Sequence, residues 1–152
     1  MKKFDKLSLV MDLLGCPNRC KHCWLGHAPN PRLGPEDLRF AAGALRPFCR
    51  ELEDRGVRHC LVSMGDSGIL YTGEEGVYQV MVPNVNVVSA VGSGDYCLAG
   101  FVLSQATGKD LVRSLKTAAS FGTAACLTEG TSPPTCIATA NILQQVLCEK
   151  LA

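Results

Sequence analysis

From Val57 onward the apolar residues fall into short blocks divided by glycines and acidic residues. Cys60-Leu61-Val62-Ser63-Met64 and Ile69-Leu70-Tyr71-Thr72 are runs too short for helices, which predicts two buried strands joined by a turn over residues 65–68. Gly73-Glu74-Glu75-Gly76 predicts a hairpin turn into Val77-Tyr78-Gln79-Val80-Met81-Val82, whose partial alternation predicts a half-exposed antiparallel strand. Asn86-Val87-Val88 predicts one more short strand. The period then changes, and three helices are predicted at roughly 94–107, 110–127 and 139–151. In the middle helix Leu111, Leu115, Ala118, Ala119 and Gly122 share one face, whose small residues allow close approach to a sheet or to a nucleotide base.

The first third of the chain predicts a strand, a loop and a helix. Leu7-Ser8-Leu9-Val10-Met11-Asp12-Leu13 is short and mostly apolar, as a buried strand would be. Gly34-Pro35-Glu36-Asp37 places proline at a first helical position with acids in the first turn. Leu38, Ala41, Ala42 and Leu45 follow at helical spacing, and the pattern resumes at Phe48 and Leu52 after Pro47, which should kink or split the helix. The expected fold is α/β, a partial sheet flanked by helices with an N-terminal strand-loop-helix unit.

At 152 residues the chain has room for one domain with a real core, and 47% apolar with 19% charged residues is a globular composition. A formal charge of +1 supplies no electrostatic reason to expect nucleic acid or an acidic membrane as partner. No apolar run reaches the ~18 residues of a membrane span, and the stretch after Met1-Lys2-Lys3-Phe4-Asp5 is too short for a signal peptide, so a cytoplasmic protein is expected.

Candidate chemistry centres on Ser89-Ala90-Val91-Gly92-Ser93-Gly94-Asp95, between the strands and the first long helix. Gly92 and Gly94 permit a tight turn that brings bare amides against an anion, and the first helical turn adds a partial positive charge. Asp95 then stands where a phosphate would bind, a place for a carboxylate that takes a proton from an attacking hydroxyl. An ordinary helix start, capped by Ser93 or Asp95, explains the same residues.

The longer string Val91-Gly92-Ser93-Gly94-Asp95-Tyr96-Cys97-Leu98-Ala99-Gly100-Phe101 resembles the C-terminal signature of the ribokinase-like PfkB sugar kinases, in the branch of 1-phosphofructokinase, 6-phosphofructokinase and tagatose-6-phosphate kinase. The resemblance runs from about Phe48 to the end of the chain, through Ser63-Met64-Gly65-Asp66-Ser67-Gly68 and Thr128-Glu129-Gly130-Thr131. It implies ATP-dependent phosphorylation of a sugar phosphate, with Asp95 as catalytic base, Gly92, Ser93 and Gly94 as the anion hole, and Mg²⁺ on the ATP phosphates. It further implies that Ser63, Gly65, Asp66, Ser67 and Gly68 follow the nucleotide's phosphates and ribose, and that Ala119 and Thr123 line the adenine pocket. Ser89, Val91, Ala125, Thr128, Gly130 and Ser132 match a ring of oxygens that holds a monovalent cation such as K⁺ in some members. Read without the family, the 65–68 turn is a strand connection whose glycines supply positive φ, and the loop before Pro133-Pro134 is a plain loop after a helix.

Nine cysteines are many, and three of them cluster: Cys16-Pro17-Asn18-Arg19-Cys20-Lys21-His22-Cys23 is C-x3-C-x2-C. Three thiolates on a four-iron cluster leave one iron open to another ligand. With Asp12-Leu13-Leu14-Gly15 ahead and Trp24-Leu25-Gly26-His27 behind, residues 1–47 resemble the start of a radical S-adenosylmethionine enzyme, which implies a 4Fe-4S cluster and S-adenosylmethionine. A zinc site on Cys16, Cys20, Cys23 and His22 or His27 fits the same residues. Cys97, Cys126, Cys136 and Cys148 share no spacing and are expected to be structural thiols.

Neither resemblance is whole. Only the first unit of a radical-enzyme barrel is present, and the kinase part lacks the family's sugar-contacting lid, its paired glycines and its Asn-x-x-Glu motif. The expectation is a chimaeric or truncated kinase with little activity, divided at 1–47 and 48–152. A radical iron-sulfur protein and a non-catalytic nucleotide-binding or homodimerising fragment are the rival readings.

Overall fold

The computed structural model describes residues 56–151, together with Glu36, Glu51 and Asp54, which are helical. The strand expected at 7–13 and the Cys16, Cys20, Cys23 loop lie outside the described residues.

Four strands form one sheet: β1 His59–Ser63, β2 Ile69–Gly73, β3 Gly76–Met81 and β4 Leu147–Lys150, in the order β1-β2-β3-β4 with every pairing antiparallel. From residue 56 onward there are three α-helices: α1 Ser93–Ala106, α2 Leu111–Ala125 and α3 Cys136–Gln145. The result is an α/β arrangement of a small sheet flanked by helices.

The first two turns form where the sequence puts them. Gly73 pairs with Gly76 across Glu74-Glu75, closing the β2–β3 hairpin. Between β1 and β2 a single 3-10 turn, Gly65–Ser67, is closed by the Met64 N–H donating to the Gly68 carbonyl at 2.9 Å. Gly68 adopts φ +89°, and a Cβ there would collide with the Val80 carbonyl across the ladder. Both conditions demand glycine. Gly68→Ala is therefore expected to destabilise the protein by at least ~3 kcal/mol, from left-handed strain plus a displaced backbone. Chemical unfolding would show it, and a loss under ~1 kcal/mol would mean that the ladder yields easily.

Both faces of β1 and β2 are buried, which is why these strands read as continuous apolar runs instead of alternating. On one face Leu61, Ile69, Tyr71 and Val80 pack with Leu111, Leu115, Ala118, Ala119 and Ala124 of α2, Phe101 of α1, and Ile142 and Val146. Tyr71 is fully buried, its hydroxyl 2.8 Å from His59 Nδ1, and His59 meets the Phe101 ring edge-on. On the other face Cys60, Val62, Met64, Leu70 and Val77 form a second cluster, with Leu151 against it. β3 is accordingly more buried than its partial alternation suggests, with Val77, Gln79 and Val80 all inside.

Two sequence expectations are corrected. Asn86-Val87-Val88 is not a strand. The N–H groups of Val88 and Ser89 both donate to the Cys126 carbonyl, at 2.8 and 3.3 Å, so consecutive amides face one point, whereas strand amides point alternately to opposite sides. The last helix starts and stops earlier than predicted. Thr135 Oγ1 accepts the Ala138 N–H at 3.1 Å and caps it, and at Val146 the backbone becomes extended (φ −72°, ψ 127°). Val146 drops into the core at 0% exposure, and Leu147–Lys150 joins the sheet beside β3, where the Lys150 ammonium lies over the Tyr78 ring. Ile142 and Val146, four apart, carry the helical period into this strand, which hid the change.

Candidate active site

The turn before α1 is held by backbone and serine hydrogen bonds. The Ala90 carbonyl accepts from both the Ser93 N–H (3.3 Å) and the Ser93 hydroxyl (2.9 Å), and Ser89 Oγ accepts from the Val91 N–H (3.3 Å). Gly92 is the residue that caps the helix, in the left-handed region at φ 81°, ψ −2°, with no side chain capping it. Neither Ser93 nor Asp95 is the cap, so the helix start expected from the sequence is present with Gly92 in the capping position. Ser93 faces back into the turn, and Asp95 is exposed in the first turn of α1.

Tyr96 N–H makes the first helical bond, to the Gly92 carbonyl at 3.0 Å, so the Gly94 and Asp95 amides precede the intrahelical ladder. A Cβ added to Gly94 would meet nothing within 4 Å. Beyond its chain neighbours and its own helix nothing crowds Gly94, whose amide stands with that of Asp95 at the positive end of a 14-residue helix.

A second loop is stitched to this turn. Beyond the bonds to Cys126, the Tyr96 hydroxyl donates to the Thr131 carbonyl at 3.0 Å, and a Cβ on Gly92 would stand 3.5 Å from Thr131 Cγ2. Thr128 Oγ1 lies 2.8 Å from both the Ala125 and the Ser132 carbonyl oxygens. The expected cation residues thus occupy adjoining segments: Ser89 and Val91 on the turn, Ala125, Thr128, Gly130 and Ser132 on the loop. Gly130, at φ +58°, takes the bend.

The expected nucleotide residues are placed differently. Gly65 and Asp66 are exposed at the tip of the β1–β2 turn, with Ser63 and Ser67 half-buried beside them and Gly68 buried. The Ser67 and Gly68 amides are spent on closing the turn, donating to Met64 and Gly65 carbonyls at 3.1 Å each. Ala119 and Thr123 are buried on α2, and Ala119 packs in the main core cluster. Gly122 was expected to approach the sheet or a base. It faces α1 instead: a Cβ there would be 3.0 Å from the Ser93 carbonyl and 3.1 Å from Cys97 Cβ. Gly100 serves the same contact from α1, since its Cβ would be 3.0 Å from Phe121.

Cys97, Cys126, Cys136 and Cys148 are free thiols. Burial pushes Cys97 up to about 12 and raises Cys126, where a hydrogen bond with Ser93 opposes the shift. Burial also raises Cys148, with Lys116 opposing and Glu149 reinforcing. Such thiols are protonated at neutral pH and fit structural roles. Among the described residues no three His, Cys, Asp or Glu side chains converge on a metal site.

Residues 44–137 match the pfkB family carbohydrate kinases. The chain is 37% identical over 79 residues to the 1-phosphofructokinase of Borreliella burgdorferi, which covers 51% of this chain and 26% of that one. With the 1-phosphofructokinase of Bacillus subtilis it is 30% identical over 103 residues, covering 68% and 32%. It thus spans about a quarter to a third of the length of these relatives. Among solved structures, phosphofructokinase-2 from Escherichia coli in complex with potassium superposes with a TM-score of 0.60 at 27% identity, covering 74% of this chain and 35% of the other.

Proposed function

Since this chain belongs to the pfkB family of carbohydrate kinases, we propose that residues 48–152 are the ATP-binding, phosphoryl-transferring portion of a sugar-phosphate kinase of the phosphofructokinase or tagatose-6-phosphate kinase type. The observation that carries this reading is the 92–95 turn: a left-handed glycine cap, two amides ahead of the helical ladder, open space over Gly94, and a carboxylate one residue on.

Each part has a task in phosphoryl transfer. The turn from Gly92 through Ser93 to Gly94 stabilises negative charge on the transferred group, acting through fixed dipoles that need no reorganisation. Asp95 accepts the proton of the sugar hydroxyl as that oxygen attacks. Mg²⁺ bound with the ATP phosphates would neutralise part of their charge. Neutral carbonyl oxygens at Ala125 and Ser132, both within reach of one hydroxyl, are a donor set suited to K⁺. A cation there would steady the loop without touching the sugar, and the relative of known structure that was solved with potassium supports this part of the reading.

A nucleotide-binding portion without turnover of its own is the second reading; the chain spans 26% and 32% of the lengths of these relatives. A four-iron cluster on Cys16, Cys20 and Cys23 would be a separate chemistry of residues 1–47, ahead of the family match at residue 44 by some twenty residues. No described helix is long and apolar enough to cross a membrane.

Gly94→Val tests the anion hole. Beyond its chain neighbours and its own helix, the added Cβ meets no protein atom within 4 Å, so the fold should survive. Its methyl groups would fill the space where the phosphate approaches the amides. Calorimetry is expected to show MgADP binding to the wild type and at least a ~10-fold weaker Kd in the variant, the equivalent of losing one charge-assisted hydrogen bond. Equal affinities would place the phosphates elsewhere.

A further inference from the structure

The side chain next to Asp95 reaches across the site. Most side-chain bonds near the turn are local, such as Ser93 to Ala90 and Thr128 to Ala125 and Ser132. Tyr96 differs, because its hydroxyl donates to a carbonyl 35 residues away, that of Thr131, at 3.0 Å. Its ring also flanks the cap: a Cβ on Gly92 would lie 4.0 Å from Tyr96 Cε2 and 3.5 Å from Thr131 Cγ2. Tyr96, Gly92 and Thr131 therefore meet at one point. The loop is clipped at its base by Thr128 and at its tip by Tyr96.

We infer that Tyr96 is a positioning residue of this site: its hydroxyl pins the 128–132 loop onto the 92–95 turn, and the order of that loop sets how tightly the turn holds a nucleotide phosphate. The inference rests on the reading of the turn as a phosphoryl site. Glycine populates several backbone regions with little preference, so a turn capped by Gly92 in the left-handed region needs neighbours to hold it there. Thr131 and the Tyr96 ring are those neighbours. With the hydroxyl present, the turn is ordered before the anion arrives, and binding is spared that ordering cost. Tyr96 itself need not touch the nucleotide, since it acts through Thr131 and Gly92.

Tyr96→Phe in the full chain removes one oxygen and keeps the ring. Hydrogen exchange of the 128–132 amides, measured without nucleotide, is expected to quicken about fivefold, the effect of one net hydrogen bond, while exchange in β3 and the thermal midpoint stay as in the wild type. Calorimetry should show MgADP affinity reduced by a similar factor. A purely structural tyrosine would lower the midpoint and leave affinity alone. Unchanged loop exchange overturns the inference, and so does a looser loop with undiminished affinity. Should the wild type take up no MgADP, the phosphoryl-site reading fails, and the exchange comparison then decides alone whether Tyr96 pins the loop.

Discussion

Asp95→Asn is expected to cut phosphoryl transfer by ~10²- to 10⁴-fold, the usual contribution of a positioned general base, while MgADP affinity moves by less than about threefold. The two readouts separate because the carboxylate acts on the acceptor hydroxyl and the amides act on the nucleotide. Asp95 is exposed in the first turn of α1, and asparagine keeps every backbone donor of that turn in place. Removing a negative charge beside phosphates works, if it does anything, toward tighter ADP. Single-turnover transfer from labelled ATP to fructose 6-phosphate, with the protein in excess, measures the chemical step apart from binding. A variant that loses ADP binding together with transfer would make Asp95 a part of the turn's architecture and would leave the reaction without a base.

Much of this site was legible because it depends on backbone chemistry that glycine announces. Gly65, Gly68, Gly92 and Gly130 all take positive φ, and each falls in a turn or loop that the sequence marked. The strands at 59–63, 69–73 and 76–81 were legible for a related reason: short apolar runs between such turns have few other ways to be buried. What stayed hidden depends on contacts between distant residues. Nothing local says that the amides of Val88 and Ser89 will both find Cys126, or that a chain of helical period will turn at Val146 to complete a sheet. Gly122 could be read as small, but not as small for the sake of Ser93 and Cys97. Tyr96 carried a faint signal, an aromatic residue directly after the putting-in-place of Asp95 at the mouth of a site. Its partner, 35 residues on, could only come from the fold.

The 152-residue chain by itself is expected to bind adenine nucleotide weakly and to turn over sugar phosphates at least ~10⁵-fold more slowly than an ordinary kinase. On the proposed reading, the turn over Gly92 and Gly94 binds a phosphate whatever the acceptor, so nucleotide binding is expected to need little beyond the described residues. Transfer needs more. The acceptor hydroxyl has to stand in line with the γ-phosphate, and holding it there supplies about 7 to 11 kcal/mol of the barrier. The lid and paired glycines that the family resemblance implies for this task are not expected among residues 1–47, and the chain spans 26% and 32% of the 1-phosphofructokinases it matches. At 1.36 kcal/mol per factor of ten, losing even the lower figure costs about five powers of ten. Against kinase rates of ~1 to 100 s⁻¹, that leaves at most ~10⁻³ s⁻¹. A coupled assay with fructose 1-phosphate, fructose 6-phosphate and tagatose 6-phosphate, run beside MgADP calorimetry, measures both halves of the expectation. A turnover near the ordinary range would show that residues 1–47 or a second chain rebuild the sugar site, and the reading of this chain as a portion without turnover of its own would fall.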